Sequence, residues 1–159
     1  MWFFMYVCYI FSFLTFLMLG AAWLQNIFYF HILHANHLTF IILTSIVYFF
    51  TETLVIFFFV GTGVSVRDYS KEHQLGDAYR KESFRIKMKL YPPLLLNMLF
   101  MIIAFVLVGA VDTRNFPGPL FRVYFLCCFF HYIYVKIIQN ECFRENTDVI
   151  LRMSGVLPR

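Results

Sequence analysis

The chain is organised around HLTFIILTSIVYFFTETLVIFFFVGTGVSVRD, the segment from His37 to Asp68. Its apolar part is long enough to supply the ~20 residues with which an α-helix crosses the hydrocarbon core of a bilayer. It contains one carboxylate, Glu52, and it ends in Gly61-Thr62-Gly63 followed by charged residues. Since charged connectors separate similar apolar runs elsewhere in the chain, the sequence predicts a polytopic membrane protein.

The composition of the whole chain points the same way. Of its 159 residues 61% are hydrophobic and 14% are charged, whereas a soluble domain carries about 25% charged residues. The chain has 22 Phe and 10 Tyr but only 7 Gly, so bulky aromatic side chains must supply most of the packing between helices. We expect one membrane domain whose Phe-rich faces contact other membrane subunits and phospholipids, and which binds no nucleic acid.

The apolar runs predict an all-α fold with four transmembrane helices. Hydropathy places the spans at about residues 3–25, 38–61, 93–111 and 120–138. The connector at 67–91 carries apolar residues at helical spacing among its basic residues, which predicts a basic amphipathic helix on the membrane surface between the second and third spans. The tail at 139–159 is mixed in charge and includes a stretch that can continue as a helix at the membrane interface.

Glycine and proline mark the predicted limits of these helices. Gly61 and Gly63 favour a helix end, because glycine tolerates left-handed backbone. Pro92 and Pro93 favour a helix start, where the missing proline N–H costs nothing. Asp112 and Thr113 open a polar turn and are expected to cap it. An anion-binding nest of backbone N–H groups at the two glycines stays open as the alternative to a helix cap.

The distribution of Lys and Arg predicts the orientation of the chain. Seven of the 13 basic residues lie in the 67–91 connector and four lie in the tail from Lys136 onward. By the positive-inside rule, the connector and both termini face the cytoplasm or the matrix of a bacterial or mitochondrial inner membrane. We expect Lys136 to extend to the membrane surface. The basic residues expected at lipid headgroups are Arg67, Lys71, Arg80, Lys81, Arg85, Lys87 and Lys89.

Three polar residues inside the predicted spans are the candidate functional residues: Glu52, Asn97 and His131. An ionisable group in a span costs roughly 2.5–3.5 kcal/mol, so it normally faces the bundle interior and has a partner. At a rise of ~1.5 Å per residue, all three fall in one layer in the half of the membrane nearer the connector. We interpret them as a structural cluster that fixes helix register. A proton, quinone or metal site is the alternative, and orientation toward lipid or a partner subunit is the third.

Three histidines repeat at the end of the bundle away from the connector. His31, His34 and His37 are spaced by three residues, so one helical face can present them as an interfacial metal site or as a solvated polar site. Haem b needs two histidines at one depth on two helices, and His131 is predicted to lie deeper than these three. The sequence therefore favours no cofactor and predicts no metal site, with haem b or a quinone as the remaining alternatives.

From His37 onward, several short motifs carry a family resemblance. They are His37-Leu38, Phe-Val-Gly-Thr-Gly at 59–63, Arg67 beside an acid, Lys89 and Pro92, Gly109-Ala110-Val111-Asp112-Thr113, and Glu145-Asn146. Over about 37–150 the chain resembles a group of small, uncharacterised bacterial inner-membrane proteins. The resemblance implies a four-helix fold and brings no known activity. In that group a His stands in place of Glu52, so a His–His metal or haem site with His131 is conceivable there, and this chain departs from it.

The motif content disfavours an enzyme. The sequence has no nucleophile elbow, no HExxH and no paired catalytic carboxylates. We expect a non-catalytic accessory subunit of a larger membrane complex, respiratory or otherwise energy-converting. One alternative is a redox or quinone-interacting anchor that uses Glu52, Asn97 and His131. A small transporter or channel is the second alternative, disfavoured because the sequence shows neither a polar stripe nor a helix broken in mid-membrane.

Overall fold

The computed structural model describes residues 2–28 and 36–155. Within these residues the chain forms four α-helices and no strand. The helices are α1 (Trp2–Phe28), α2 (His37–Glu72), α3 (Ala78–Asp112) and α4 (Gly118–Met153). Each is long and apolar enough to cross a membrane. The predicted all-α fold with four membrane-spanning helices is therefore confirmed.

The four helices form an up-and-down bundle. Each packs against its neighbours in the chain, and α1 closes the ring against α4. Short turns join α2 to α3 and α3 to α4, which makes these neighbours antiparallel. The turn at 73–77, the start of α1 and the last part of α4 lie at the same end, which we call the basic end. Tyr9 in α1, for example, donates a 2.6 Å hydrogen bond to Asn140 in α4.

Two hydrophobic clusters follow one another along the bundle axis, and aromatic rings pack in both. Nearer the basic end, Phe143 packs on Phe58 and Phe59, with ring centroids 4.9 and 5.2 Å apart. In the other cluster, Phe121 lies beside Phe125. Such ring pairs contribute ~0.5–1.5 kcal/mol beyond their buried area. Bulky packing thus takes the place of the small residues that often bring membrane helices together.

The connector at 67–91 differs from the predicted surface helix. α2 continues to Glu72 and α3 begins at Ala78, so the connector is two helical extensions joined by a turn. The 36 residues of α2 reach about 54 Å, well beyond the ~30 Å hydrocarbon core. The apolar residues at helical spacing face neighbouring helices and not lipid, since Ile86 and Leu90 are buried in the cluster nearer the basic end.

The predicted helix limits at glycine and proline do not occur. α2 runs through Gly61 and Gly63, and α3 contains Pro92 and Pro93. A glycine inside a helix costs about 1 kcal/mol relative to alanine, and a proline about 3 kcal/mol. The packing of both helices against their neighbours outweighs these local preferences, so the helices extend past the residues that were expected to end or start them.

Of the two residues predicted to cap the turn after α3, Thr113 makes the capping contact. Asp112 is the last residue of α3. The hydroxyl of Thr113 donates to Gly109 O at 3.0 Å and accepts from Asn115 Nδ2 at 3.0 Å. Arg114 adopts left-handed backbone with φ of 60°. The residues that follow Asp112 therefore satisfy the last carbonyls of α3.

Candidate functional site

Glu52 and Lys136 form an ion pair inside the bundle. The Lys136 ammonium nitrogen lies 2.8 Å from a carboxylate oxygen of Glu52, and the two side chains are 17% and 1% exposed. The distance between the two charged groups is that of an ion pair. Neither carboxylate oxygen, however, accepts a hydrogen bond with suitable geometry from the described residues. The carboxylate therefore keeps hydrogen-bonding capacity that the described part of the chain leaves unfilled.

Further contacts hold Lys136 in place. Its ammonium donates to Gln139 Oε1 at 2.7 Å and to Ser12 Oγ at 3.3 Å. It also lies 5.0 Å from the centre of the Tyr132 ring, a cation–π contact. The expectation that Lys136 extends to the membrane surface is wrong. Because α4 continues to Met153, Lys136 lies within the bundle and not at the end of a helix.

Asn97 joins three helices in the same region. Its amide nitrogen donates to Tyr48 Oη at 2.7 Å, and its amide oxygen lies 3.0 Å from His131 Nδ1. His131 is the donor in the tautomer that carries its proton on Nδ1. Asn97 and Tyr48 are buried. The three side chains link α2, α3 and α4, so they fix the relative height of these helices in the membrane.

α1 joins this region through hydroxyl groups. The hydroxyls of Thr15 and Thr51 lie 2.8 Å apart and are buried. Tyr132 donates to the backbone oxygen of Ser12 at 3.0 Å. We call these contacts, together with the Glu52–Lys136 pair and the Asn97 group, the polar layer. It lies between the centres of the two hydrophobic clusters, shares Tyr48 and Tyr132 with the cluster away from the basic end, and includes side chains of all four helices.

The structure brings Asn97 and His131 together, as their predicted depths implied. Glu52 lies one helical turn from Tyr48 on α2. Its ion pair is with Lys136, whereas Asn97 makes its hydrogen bonds with Tyr48 and His131. Sequence reasoning missed Lys136 and Tyr48 as members of the layer. The available signal was Lys136 itself, a second ionisable residue in the same half of the membrane as Glu52.

The predicted histidine site is described only in part. His31 and His34 lie outside the described residues. His37 starts α2, and its Nδ1 is buried without a hydrogen-bond partner in the described part of the chain. His37 and Asp112 line a cavity of about 330 Å³ at the end opposite the basic end. Since His37 is eleven residues from Tyr48 in α2, it lies about 16 Å along the axis from the level of His131, so these two cannot bind one metal.

A groove between α1 and α4 opens beside the Glu52–Lys136 pair. Its volume is about 380 Å³. Lys136 and Gln139 supply polar groups to its wall, and Phe13 and Phe16 supply aromatic ones. A molecule with a polar head and an apolar body, entering from the lipid side, would meet the Lys136 ammonium first.

Ion pairs fasten α3 to α4 at the basic end. Lys89 Nζ lies 2.8 Å from Glu145 and 2.9 Å from Glu141. Hydrogen bonds to Glu145 and Glu141 raise the pKa of Lys89 above its ordinary value. Arg152 lies 2.6 Å from Glu82, and that hydrogen bond raises the pKa of Arg152. These charges join helix to helix, and contact of Lys89 with lipid stays a prediction.

The other predicted headgroup contacts fall into two groups. Arg67 lies 3.0 Å from its neighbour Asp68, and Arg80 lies 3.7 Å from Asp77; all four side chains are largely exposed. Four further basic residues have no ion pair within the described residues: Lys71, Lys81, Arg85 and Lys87. Contact of this surface with lipid headgroups stays a prediction.

Within residues 2–28 and 36–155, no three His, Cys, Asp or Glu side chains are placed to hold a metal ion together.

No family model matches the chain, and neither a curated protein nor a solved structure does. The likeness over residues 37–150 to small bacterial inner-membrane proteins therefore rests on its short motifs alone.

Proposed function

We propose that this chain is a non-catalytic accessory subunit that packs against other subunits of a larger, energy-converting membrane complex. The observation that carries the proposal is that the polar layer joins the chain's own helices. Asn97 connects α2, α3 and α4, and Lys136 connects α1, α2 and α4. Such contacts fix helix register. Because the polar groups of the interior bind one another, the outer faces of the bundle are the surfaces left to contact a partner.

The outer face of α1 supports the proposal. In the most apolar segment of α1, 22% of the residues are buried in the bundle, against 39% in α2 and 28% in both α3 and α4. Among the four helices, α1 therefore has the most surface left for a partner. Side chains spaced by three and four residues form one continuous outward row. They are Phe3, Tyr6, Ile10, Phe13 and Leu17, each between 51% and 79% exposed. This spacing is typical of a helix–helix seam. We call the row the aromatic stripe.

Site-specific photo-crosslinking in native membranes tests the proposal. A photoreactive amino acid at Phe13 probes the aromatic stripe. The matched control is Val106, which is 69% exposed but lies on α3, across the bundle from α1. We expect Phe13 to crosslink to one discrete membrane protein in a fixed ratio and Val106 to crosslink to lipid. Lipid adducts alone at both positions would contradict the proposal.

A redox or quinone-interacting anchor is the second candidate, because the groove between α1 and α4 gives lipid-side access to Lys136. A quinone headgroup would accept hydrogen bonds from Lys136, beside the unfilled carboxylate of Glu52. The test is a quinone titration of the purified protein, accompanied by a visible absorbance scan for haem. Ile137→Trp should fill the groove and weaken quinone binding, whereas Phe130→Trp, on the same helix outside the groove, should not. Equal binding by both variants would exclude this candidate.

We further propose that the basic end faces the cytoplasm or matrix of an inner membrane. The proposal rests on the positive-inside rule and on the concentration of basic residues at this end. Reporter fusions test it: a fusion after Met153 should be active only as a cytoplasmic reporter, and one in the 113–117 turn only as an exported reporter. The reverse pattern would invert the orientation.

A further inference from the structure

A cleft separates α2 from α3 at the basic end, where the helices leave the apolar part of the bundle. Its volume is about 550 Å³. Gly63 and Arg67 line it from α2, and Ser83 and Lys87 line it from α3. Its other basic side chains are Arg80 and Lys81, and its apolar side chains are Val60, Val64 and Phe84. We call this site the basic cleft. A smaller cavity of about 370 Å³ adjoins it and shares Arg67 and Arg80.

Positive charge in the basic cleft exceeds negative charge. Four cationic side chains line it, against the carboxylate of Asp77 in its wall and that of Asp68, which lies 3.0 Å from Arg67. Asp77 lies 3.7 Å from Arg80, whereas Lys81 and Lys87 have no acidic partner within the described residues. A concave site with unbalanced cations raises the local concentration of anions.

Gly63 makes room for Lys87 in this cleft. A Cβ atom at Gly63 would overlap the Lys87 ammonium group, so the lysine head lies directly over the bare backbone of α2. Burial lowers the pKa of Lys87. A partly buried cation without a counter-ion is unfavourable, and an anion bound in the cleft would remove that cost. Gly61, by contrast, has nothing within 4 Å of its Cβ position.

Ser83 supplies a second, independent indication of a ligand. Ser83 is 4% exposed, and its hydroxyl has no hydrogen-bond partner in the described part of the chain. Ser83 lines the same cleft, and its hydroxyl lies 3.6 Å from the position that a Cβ atom would take at Gly63. A buried hydroxyl without a partner costs free energy, and an anionic oxygen is an acceptor that would satisfy it. Lys87 and Ser83 thus offer one cation and one neutral donor to the same small volume.

We propose that the basic cleft binds the phosphate group of an anionic phospholipid, with Lys87 and Ser83 on the phosphate oxygens and Arg67 and Arg80 at the rim. The apolar side chains of the cleft favour a lipid over a free phosphate ion. Val60 and Val64 precede Arg67 in α2, toward the membrane interior, where they lie beside an acyl chain. Basic pockets between helices at this depth are a recurring way of binding lipid headgroups. This inference does not depend on the accessory-subunit proposal.

Lipid titration monitored by native mass spectrometry tests the site. The full-length protein is purified in mild detergent and titrated with phosphatidylcholine, with phosphatidic acid, or with phosphatidic acid in the presence of inorganic phosphate. We expect one phosphatidic acid molecule to be retained more tightly than phosphatidylcholine, and inorganic phosphate not to displace it. Equal retention of both lipids would overturn the proposal. Displacement by inorganic phosphate would overturn the lipid assignment and assign the cleft to a free phosphate ion.

Two matched pairs of variants locate the binding. Lys87→Gln and Arg85→Gln remove the same charge from the same helix, but only Lys87 lines the cleft. We expect Lys87→Gln to weaken phosphatidic acid binding about fivefold, the effect of one basic residue near a membrane surface, and Arg85→Gln to leave it nearly unchanged. Gly63→Ala should displace Lys87 and weaken binding, and Gly61→Ala should not. Equal losses within both pairs would show diffuse surface attraction and overturn the site. Because the pairs change different helices, one misfolded variant leaves the other pair decisive.

Discussion

Two lysines in this bundle are partly buried, and they differ in what neutralises them. Lys136, in the polar layer, has Glu52 at 2.8 Å and three further contacts. Lys87, in the basic cleft, has no acidic partner within the described residues and lies over Gly63. In the hydrocarbon core neither water nor a lipid headgroup can neutralise a charge, so the chain must supply the partner itself. At the membrane surface, anions are available from outside.

The same contrast holds for neutral polar groups. Asn97 in the polar layer makes hydrogen bonds with Tyr48 and His131, while Ser83 in the basic cleft makes none in the described residues. The layer therefore satisfies most of its own polar groups and stabilises the fold. The cleft leaves groups unsatisfied at a position that lipid can reach, as expected of a site for an external ligand.

The largest expected difference is between the two lysines. Lys136→Met should lower the free energy of unfolding by about 3–5 kcal/mol, because it leaves the buried Glu52 carboxylate without a cation. Lys87→Met, its matched control, should have little effect in lipid-free detergent. Denaturation in mixed micelles measures both. Addition of Glu52→Gln to Lys136→Met should recover much of the loss. Equal effects of Lys136→Met and Lys87→Met would contradict the difference between the two lysines.

A smaller difference is expected between Asn97 and Ser83. Asn97→Leu should cost about 1 kcal/mol, because Tyr48 and His131 lose their hydrogen-bond partner inside the membrane. Ser83→Ala removes a buried hydroxyl without a partner and should be neutral or slightly stabilising in the absence of lipid. The same denaturation experiment compares them. A destabilised Ser83→Ala protein would show that this hydroxyl serves the fold and not a ligand.

The two glycines of α2 sharpen the description of the cleft. Gly61→Ala should stabilise the protein by up to about 1 kcal/mol, because alanine is the better residue inside a helix and the space beside Gly61 is open. Gly63→Ala should gain less, since its new methyl group must push the Lys87 head aside. Thermal unfolding followed by circular dichroism measures both. A destabilised Gly61→Ala variant would indicate a helix end at this position.

The smallest effect is expected for an ion pair outside the apolar interior. Glu82→Gln breaks the contact with Arg152 (side chains 29% and 34% exposed) and should cost at most about 0.5 kcal/mol, because water solvates both partners. Glu72→Gln, which removes an exposed carboxylate at the end of α2 that forms no ion pair within the described residues, is the control. Unfolding in low and high salt checks the prediction, since the loss should fade as salt screens the pair. An effect as large as that of Lys136→Met would contradict the contrast between interior and surface.

Several features of the polar layer were predictable. The positions of Asn97 and His131 in their apolar runs placed them at one depth, and the structure brings their side chains within 3.0 Å of each other. The same reasoning gave Glu52 a depth but not its partner. Which neighbour a side chain meets depends on the rotation of each helix about its axis. A hydropathy pattern that is apolar on every side does not specify this rotation.

Helix lengths were harder to predict. The sequence predicts that α2 ends near Gly61 and Gly63 and that α3 begins at Pro92 and Pro93. Both helices instead extend past these residues. Local preferences of about 1–3 kcal/mol yield when an extended helix buries residues such as Ile86 and Leu90 against its neighbours. The basic cleft exists only because of this extension, since Gly63 and Lys87 face each other on the two helices that continue past the predicted limits.

Four apolar helices follow from the amino-acid pattern alone, because a bilayer requires runs of about 20 apolar residues whose backbone is satisfied within each helix. Two sets of contacts depend on how the helices pack: Lys136 neutralises Glu52, and Lys87 and Ser83 meet at Gly63. These contacts join residues far apart in the chain and depend on how the helices are rotated and how far they extend. Packing of the whole bundle sets both quantities.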